Sequence, residues 1–163
     1  MQTFLPSKDF STTASMLDSK RLNKQILECY QILKVLSSTD PKAGWRNHPA
    51  VKMWRGYENA LYSYTLAMVA EADKRGIKTD TNMHNLSTLK SAVGSSWGTG
   101  FPEWYQNSEE MKRITVTHMA RLFVKDPIYY APFSFFSNHQ DNEPCCSHCN
   151  YYWPTHTTDK AVA

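Results

Sequence analysis

Glu28 is the carboxylate whose surroundings stand out. Lys20, Lys24 and Glu28 step by four, so a helix places them on one face with Arg21 beside them. A carboxylate among cations can stabilise a developing positive charge or take up a proton. The same spacing also describes an ordinary surface ion pair between Glu28 and Lys24. Arg121 and Lys125 are four apart, with Thr117 one turn earlier. They can reach neighbouring phosphates or form a solvated basic edge. Arg46, Asn47 and His48 immediately precede Pro49. A helix start beside Arg and His is an anion site, and Asn47 or His48 can equally cap that helix. The run Cys145-Cys146-Ser147-His148-Cys149 holds one C-x-x-C pair, half of a tetrahedral zinc site. Its further donors would be His148, Cys145, His139 or His156. A second C-x-x-C is missing, so the reading is free thiols and no metal. A P-loop, a Gly-rich dinucleotide turn, a helical His pair and a Ser nucleophile elbow are all absent. No cofactor is expected.

Charge points to the partner. Residues 1–55 hold nine Lys/Arg against four Asp/Glu, a net of +5. Residues 56–163 hold nine against eleven, a net of −2. A basic first third fits an anionic partner, nucleic acid first, although charge also fluctuates along any chain. With 41% hydrophobic and 13% aromatic residues, the 163-residue chain suits one packed domain, residues 1–163, rather than a disordered segment. No apolar run is long enough to span a bilayer. MQTFLPSKDFSTT lacks the apolar stretch of a signal peptide, and the clustered cysteines are no secreted disulfide framework. A cytoplasmic monomer with no membrane contact is expected.

Three helices must position these residues. The first is expected over about Ser15 to Leu36, where Leu22, Ile26, Cys29, Leu33 and Leu36 draw one apolar stripe. The second is expected over about Pro49 to Arg75, with Met53, Tyr57, Ala60, Tyr64 and Ala67 as its stripe and Gly76 as its stop. The third is expected from Ser108 as N-cap to Asp126-Pro127, with Met111, Ile114, His118 and Leu122 buried. Residues 77–107 read as an irregular ordered loop. The aromatic-rich tail over 127–163 reads as irregular and packed or partly flexible. No alternating strand is visible, so the fold class is all-α, with three main helices and long ordered loops.

The motifs MQTFLP, LDSKRLNKQILECYQIL and GWRNHPAVKMWRGYENAL, with the later KDPIYY and YYWP, resemble a group of small phage and bacterial proteins. That group lies within the pyrimidine-dimer DNA glycosylase/AP lyase family, the phage endonuclease V type. The likeness covers most of residues 1–154. Arg21, Leu22 and Glu28, then Lys74-Arg75-Gly76, then Ala120, Arg121, Leu122 and Lys125 match patterned positions of the family.

The resemblance implies a compact α-domain and a nucleophile that is the chain's own α-amino group. That amine attacks C1′ of the damaged nucleotide, displaces the base and forms a Schiff base, and β-elimination then cuts the strand. A helix-borne Glu assists, and the resemblance places it at Glu28. Gln2 is bulky, so Met1 is expected to be retained and to supply the amine. An α-amine is a much weaker base than a lysine side chain, so a useful fraction is neutral near pH 7. Lys20, Arg21, Lys24, Arg46, His48, Arg121 and Lys125 are the expected contacts to double-stranded DNA. Two cationic positions of the family's first helix are Leu27 and Gln31 here, and the cysteine cluster has no counterpart. The other reading is a non-catalytic DNA-binding protein on the same scaffold.

Overall fold

The computed structural model describes residues 1–133 and 151–154. Among the described residues, eight helices follow an extended N-terminal segment: α1 (Phe10–Met16), α2 (Ser19–Leu36), α3 (Pro49–Lys52), α4 (Glu58–Lys74), α5 (Asp80–Val93), α6 (Glu103–Gln106), α7 (Ser108–Lys125) and α8 (Pro127–Tyr130). The described residues contain no strand. The all-α expectation holds, and α2, α4 and α7 are its three long helices.

Most of the expected stripe residues are buried. Tyr57 and Ala67 of the second stripe are only half-buried, because the buried face of α4 also runs through Leu61, Thr65, Met68 and Ala72. Leu22, Ile26, Cys29 and Leu33 of α2 are buried, with Leu36 at the edge of the core. Ala60 and Tyr64 of α4 and Met111, Ile114, His118 and Leu122 of α7 are buried as well. α2 lies against α4 and α5, α1 against α4, and α7 against α6 and α8.

The helix boundaries differ from the sequence reading in four places. The first expected helix is two, because Leu17 turns extended and Asp18 then caps α2, its carboxylate accepting from Arg21 N–H. Arg75 closes the break from the other side. Its guanidinium donates to the carbonyls of Ala14, Ser15 and Leu17 at the end of α1. The second expected helix is also interrupted, between α3 and α4, where Gly56 adopts φ +85°. Glu58 staples that interruption, accepting from Gly56 N–H at 3.0 Å and from Gly98 N–H at 2.8 Å. Gly98 must be glycine, since a Cβ there would meet the Gly56 carbonyl oxygen at 1.8 Å.

The largest correction is α5, a fourteen-residue helix inside the stretch read as loop. Leu86 is its one fully buried residue and Thr79 makes no side-chain cap, so neither a wide apolar stripe nor a start signal marks it. The smallest is at α7, where Asn107 rather than Ser108 is the cap and accepts from Glu110 N–H. Cys145, Cys146, His148 and Cys149, with His139 and His156, lie outside the described residues. Among the described residues, no group of three or more His, Cys, Asp or Glu could hold a metal. No described helix is long and apolar enough to cross a membrane.

Candidate active site at the N-terminus

The first five residues run through the interior. Gln2, Thr3, Phe4 and Leu5 are all buried, yet they belong to no helix or sheet. Their backbone groups must therefore find side-chain partners, since an unpaired buried amide is costly. Gln25 of α2 supplies two. Its Oε1 accepts from Phe4 N–H at 2.9 Å, and its Nε2 donates to the Gln2 carbonyl at 2.6 Å. His118 of α7 accepts from Leu5 N–H through Nδ1 at 2.9 Å. The Tyr64 hydroxyl of α4 donates to the Phe4 carbonyl at 2.5 Å. Trp54 Nε1 donates to Thr3 Oγ1 at 3.0 Å. All three long helices thus hold the extended segment of residues 2–5.

Burial sets the charge state of this clamp. The His118 imidazole is pushed down to about 3, so it stays neutral and keeps its Nδ1 lone pair for Leu5. Burial also pushes the Cys29 thiol up to about 12, which makes it an inert core residue rather than a nucleophile.

The clamp delivers Met1 to the face of α2 that carries Glu28. Gln25 and Glu28 are three residues apart and share that face, so the residue that grips the strand lies one turn before the carboxylate. Met1, Gln2, Phe4, Lys20, Arg21, Lys24, Glu28, Lys125 and Tyr151 line one cleft of about 400 Å³. Glu28 pairs with Lys24 at 3.7 Å, but the two are unlike. The Lys24 side chain is 70% exposed and that of Glu28 only 13%. Glu28 is thus a cleft residue with an ion-pair partner at the rim, not a surface carboxylate.

The cations converge from two helices. Lys20, Arg21 and Lys24 come from α2 and Lys125 from the last turn of α7. Lys125 is lowered from the usual lysine range, by burial first and then by the charges of Arg21, Arg121 and Lys24. Arg21 is partly engaged. It donates to Asp18 at 2.9 Å, and Asp18 also accepts from the Tyr130 hydroxyl at 2.6 Å. Asp18 ends below the carboxylate range: burial pulls it upward, and the bonds from Tyr130 and Arg21 outweigh that pull. Arg121 is half-buried, its guanidinium 5.6 Å from the centre of the Tyr151 ring. Segment 151–154 closes this end of the cleft. Tyr152 N–H donates to Thr117, and the Trp153 ring lies 5.9 Å from His48 and 6.5 Å from His118.

Of the two residues expected ahead of the second helix, neither lines that cleft. Arg46 donates to the Ser38 carbonyl, and Arg55 donates to the carbonyl of Arg46. His48 caps α3, its Nδ1 accepting from Ala50 N–H at 3.0 Å, so its proton sits on Nε2. Its imidazole is lowered by burial and next by the positive charge of the chain's amine, with Glu28 acting the other way. His48 therefore lies within the field of both Met1 and Glu28.

Sequence reading missed Gln25 and Tyr64 as functional groups and took His118 only as core. The usable signal was Gln25 itself, a polar residue in register with the buried stripe, three after Leu22. Such a residue needs a buried partner. The arrangement places an amine, a carboxylate and a ring of cations around one opening, which suits attack on an electrophilic carbon within a polyanion.

Comparisons with curated proteins and with solved structures returned no match. The sequence profile of the pyrimidine dimer DNA glycosylases matches residues 1–85, which include the N-terminal strand, Gln25, Glu28 and Tyr64. With more than half of its length matched, the chain belongs to the pyrimidine dimer DNA glycosylase family.

Proposed function

We propose that the protein excises pyrimidine dimers from duplex DNA through a Schiff base formed by the α-amine of Met1, and that Glu28 is the assisting carboxylate. The neutral amine bonds to C1′ of the damaged nucleotide. The C1′–N bond breaks, and its electron pair leaves with the base, which takes up a proton. Loss of an amine proton and opening of the C1′–O4′ bond, whose electron pair stays on O4′ and takes up a proton, give the protonated imine. Removal of a C2′ proton then expels the 3′ phosphate by β-elimination. Glu28 faces the developing cation in the first half and takes the C2′ proton in the second. Lys20, Arg21, Lys24 and Lys125 hold the phosphates on either side, and Arg121, Arg46 and His48 extend that contact surface.

One observation supports this reading: the N-terminal segment, whose backbone is bonded by Gln25, Tyr64 and His118, begins at Met1, which lines the same cleft as Glu28. Burial of Phe4 and Leu5 in the core anchors the segment, and the bonds to its backbone fix the position of its first residue. Borohydride trapping tests the reading. Protein with a free Met1 amine is expected to become covalently fixed to a duplex holding an abasic site. Acetylation of that amine is expected to abolish the adduct while the circular dichroism of the helices is unchanged. A blocked protein that still forms the adduct overturns the proposal. DNA binding with no adduct and no excision by the free-amine protein selects the non-catalytic alternative.

A further inference from the structure

Beside the cleft lies a second hollow of about 360 Å³, lined by Met1, Glu28, Gln31, Lys34, Val35 and Trp45. The two openings share Met1 and Glu28. Trp45 forms the outer wall. It is 60% exposed. It is also the one non-glycine residue described with a positive φ, +68°. A bulky side chain is strained in that region, and an exposed indole gains little from burial. Either feature alone is unremarkable on a surface; together they describe a residue kept where folding does not favour it.

The loop around Trp45 leaves it no alternative. Ala43 N–H donates to Asp40, Arg46 N–H to Ala43 and His48 N–H to the Trp45 carbonyl. The Arg55 guanidinium fixes the Arg46 carbonyl at 2.6 Å. The His48 ring, itself held by Ala50, lies 5.5 Å from the indole. The backbone that carries the indole is thus fixed, and the indole shares the hollow with Val35, Gln31, Lys34, Glu28 and the proposed nucleophile Met1.

We propose that Trp45 is a specificity-determining residue: it stacks on a nucleobase that leaves the duplex at the reacting site. The proposal rests on the Met1 amine reading, because only that reading puts DNA at the shared edge of the two openings. A flat, π-faced ligand fits an indole wall, and every base offers such a face. The base comes either from the damaged nucleotide or from the nucleotide opposite, and the same chemistry receives both.

The test compares Trp45→Gly and Trp45→Phe with the parent. Glycine is at ease at φ +68°, so Trp45→Gly is expected to melt no lower than the parent. It is expected to slow single-turnover excision of a cyclobutane dimer by about 5-fold to about 150-fold, the worth of one stacked base. Trp45→Phe is expected to restore most of that loss. Borohydride trapping then finds the source of the base. Unchanged trapping of Trp45→Gly on a preformed abasic duplex assigns the stacked base to the damaged nucleotide. A trapping loss that disappears when the opposite base is also removed assigns it to the opposite strand. Full dimer excision by Trp45→Gly, or an equal loss on a duplex lacking both bases, overturns the proposal. A parent that excises dimers without forming any adduct overturns the amine reading instead, and dimer excision by Trp45→Gly then decides the role of Trp45.

Discussion

The cleft has two walls built on opposite terms. The inner wall is the N-terminal segment, Met1, Gln2 and Phe4, held from behind by Gln25, Tyr64 and His118 through bonds between uncharged groups at 2.5 to 2.9 Å. The outer wall is Lys20, Lys24 and Lys125, exposed and charged. Buried neutral hydrogen bonds are directional and unscreened, so they fix position. Exposed charges are screened by salt and set affinity for a polyanion. Under the proposed mechanism the difference divides two tasks: the uncharged wall holds Met1 in place and the charged wall attracts the polyanion.

Glu28 stands where the walls meet, and changing it gives the largest expected effect. Glu28→Gln keeps shape and volume while removing the carboxylate. Single-turnover excision is expected to fall by about 10²- to 10⁴-fold, the usual loss for one acid–base group. Affinity for the duplex is expected to hold or tighten, since a negative charge leaves a basic cleft. A rate within threefold of the parent would make Glu28 a mere partner of Lys24 and leave the inner wall without a target.

The next break is in the inner wall. Gln25→Leu keeps the side chain's bulk but strands the Phe4 N–H and the Gln2 carbonyl without their partners. Each unpaired buried group costs about 1 to 3 kcal/mol, so denaturant unfolding is expected to shift by that order. Excision is expected to fall by about 10²-fold, because a displacement of about 1 Å at the nucleophile is enough for that. The salt dependence of DNA binding is expected to stay as it was, because every cation of the outer wall remains. Lost stability with full activity would show that the strand's burial serves only the fold.

This asymmetry also explains what could be read from the chain alone. α2, α4 and α7 were legible because Leu22, Ile26, Cys29 and Leu33, and their counterparts, repeat at helical spacing. The interruptions at Leu17 and Gly56 were not, because local breaks inside a continuing stripe are decided by distant groups, Arg75 and Glu58. α5 was hidden by its polarity. The outer wall was legible as residue types, since charge announces itself. The inner wall left one mark, the polar Gln25 on the buried stripe, but not its partners, which are backbone groups of residues 2–5 and carry no sequence signal. His118 reaches Leu5 across 113 positions, a pairing that no local pattern marks.

A gentler probe of the inner wall is pH. His118 is held at about 3, against an ordinary value near 6.5. A depressed value means the folded state binds its proton less readily than the unfolded chain does. The stability from the neutral imidazole is therefore complete above about pH 6.5 and is lost as pH falls from there toward about 3. Within that window the slope is up to about 1.4 kcal/mol per pH unit. His118→Asn removes the titrating group, so its stability curve, followed by urea unfolding, is expected to be flatter than the parent's over that window. Equal slopes would mean that other groups govern acid unfolding and that His118 is not the acid-sensitive member of the clamp.

The smallest expected effect belongs to the outer wall. Lys24 is 70% exposed and 3.7 Å from Glu28, so Lys24→Ala removes a weak pair worth at most about 1 kcal/mol. Stability and the single-turnover rate at saturating protein are expected to stay near those of the parent. What should change is the slope of log affinity against log salt, which is expected to flatten by about 0.9 for one lost phosphate contact. The loss is expected to be alike for damaged and undamaged duplexes, because phosphate contacts carry no information about the base. Arg121→Ala separates the walls more sharply. Its guanidinium packs over Tyr151 rather than pointing freely outward, so it is expected to lower the melting temperature as well as the slope. If Lys24→Ala left the slope unchanged while slowing excision, the two walls would not divide position from affinity, and Lys24 would belong with Glu28 in the chemistry.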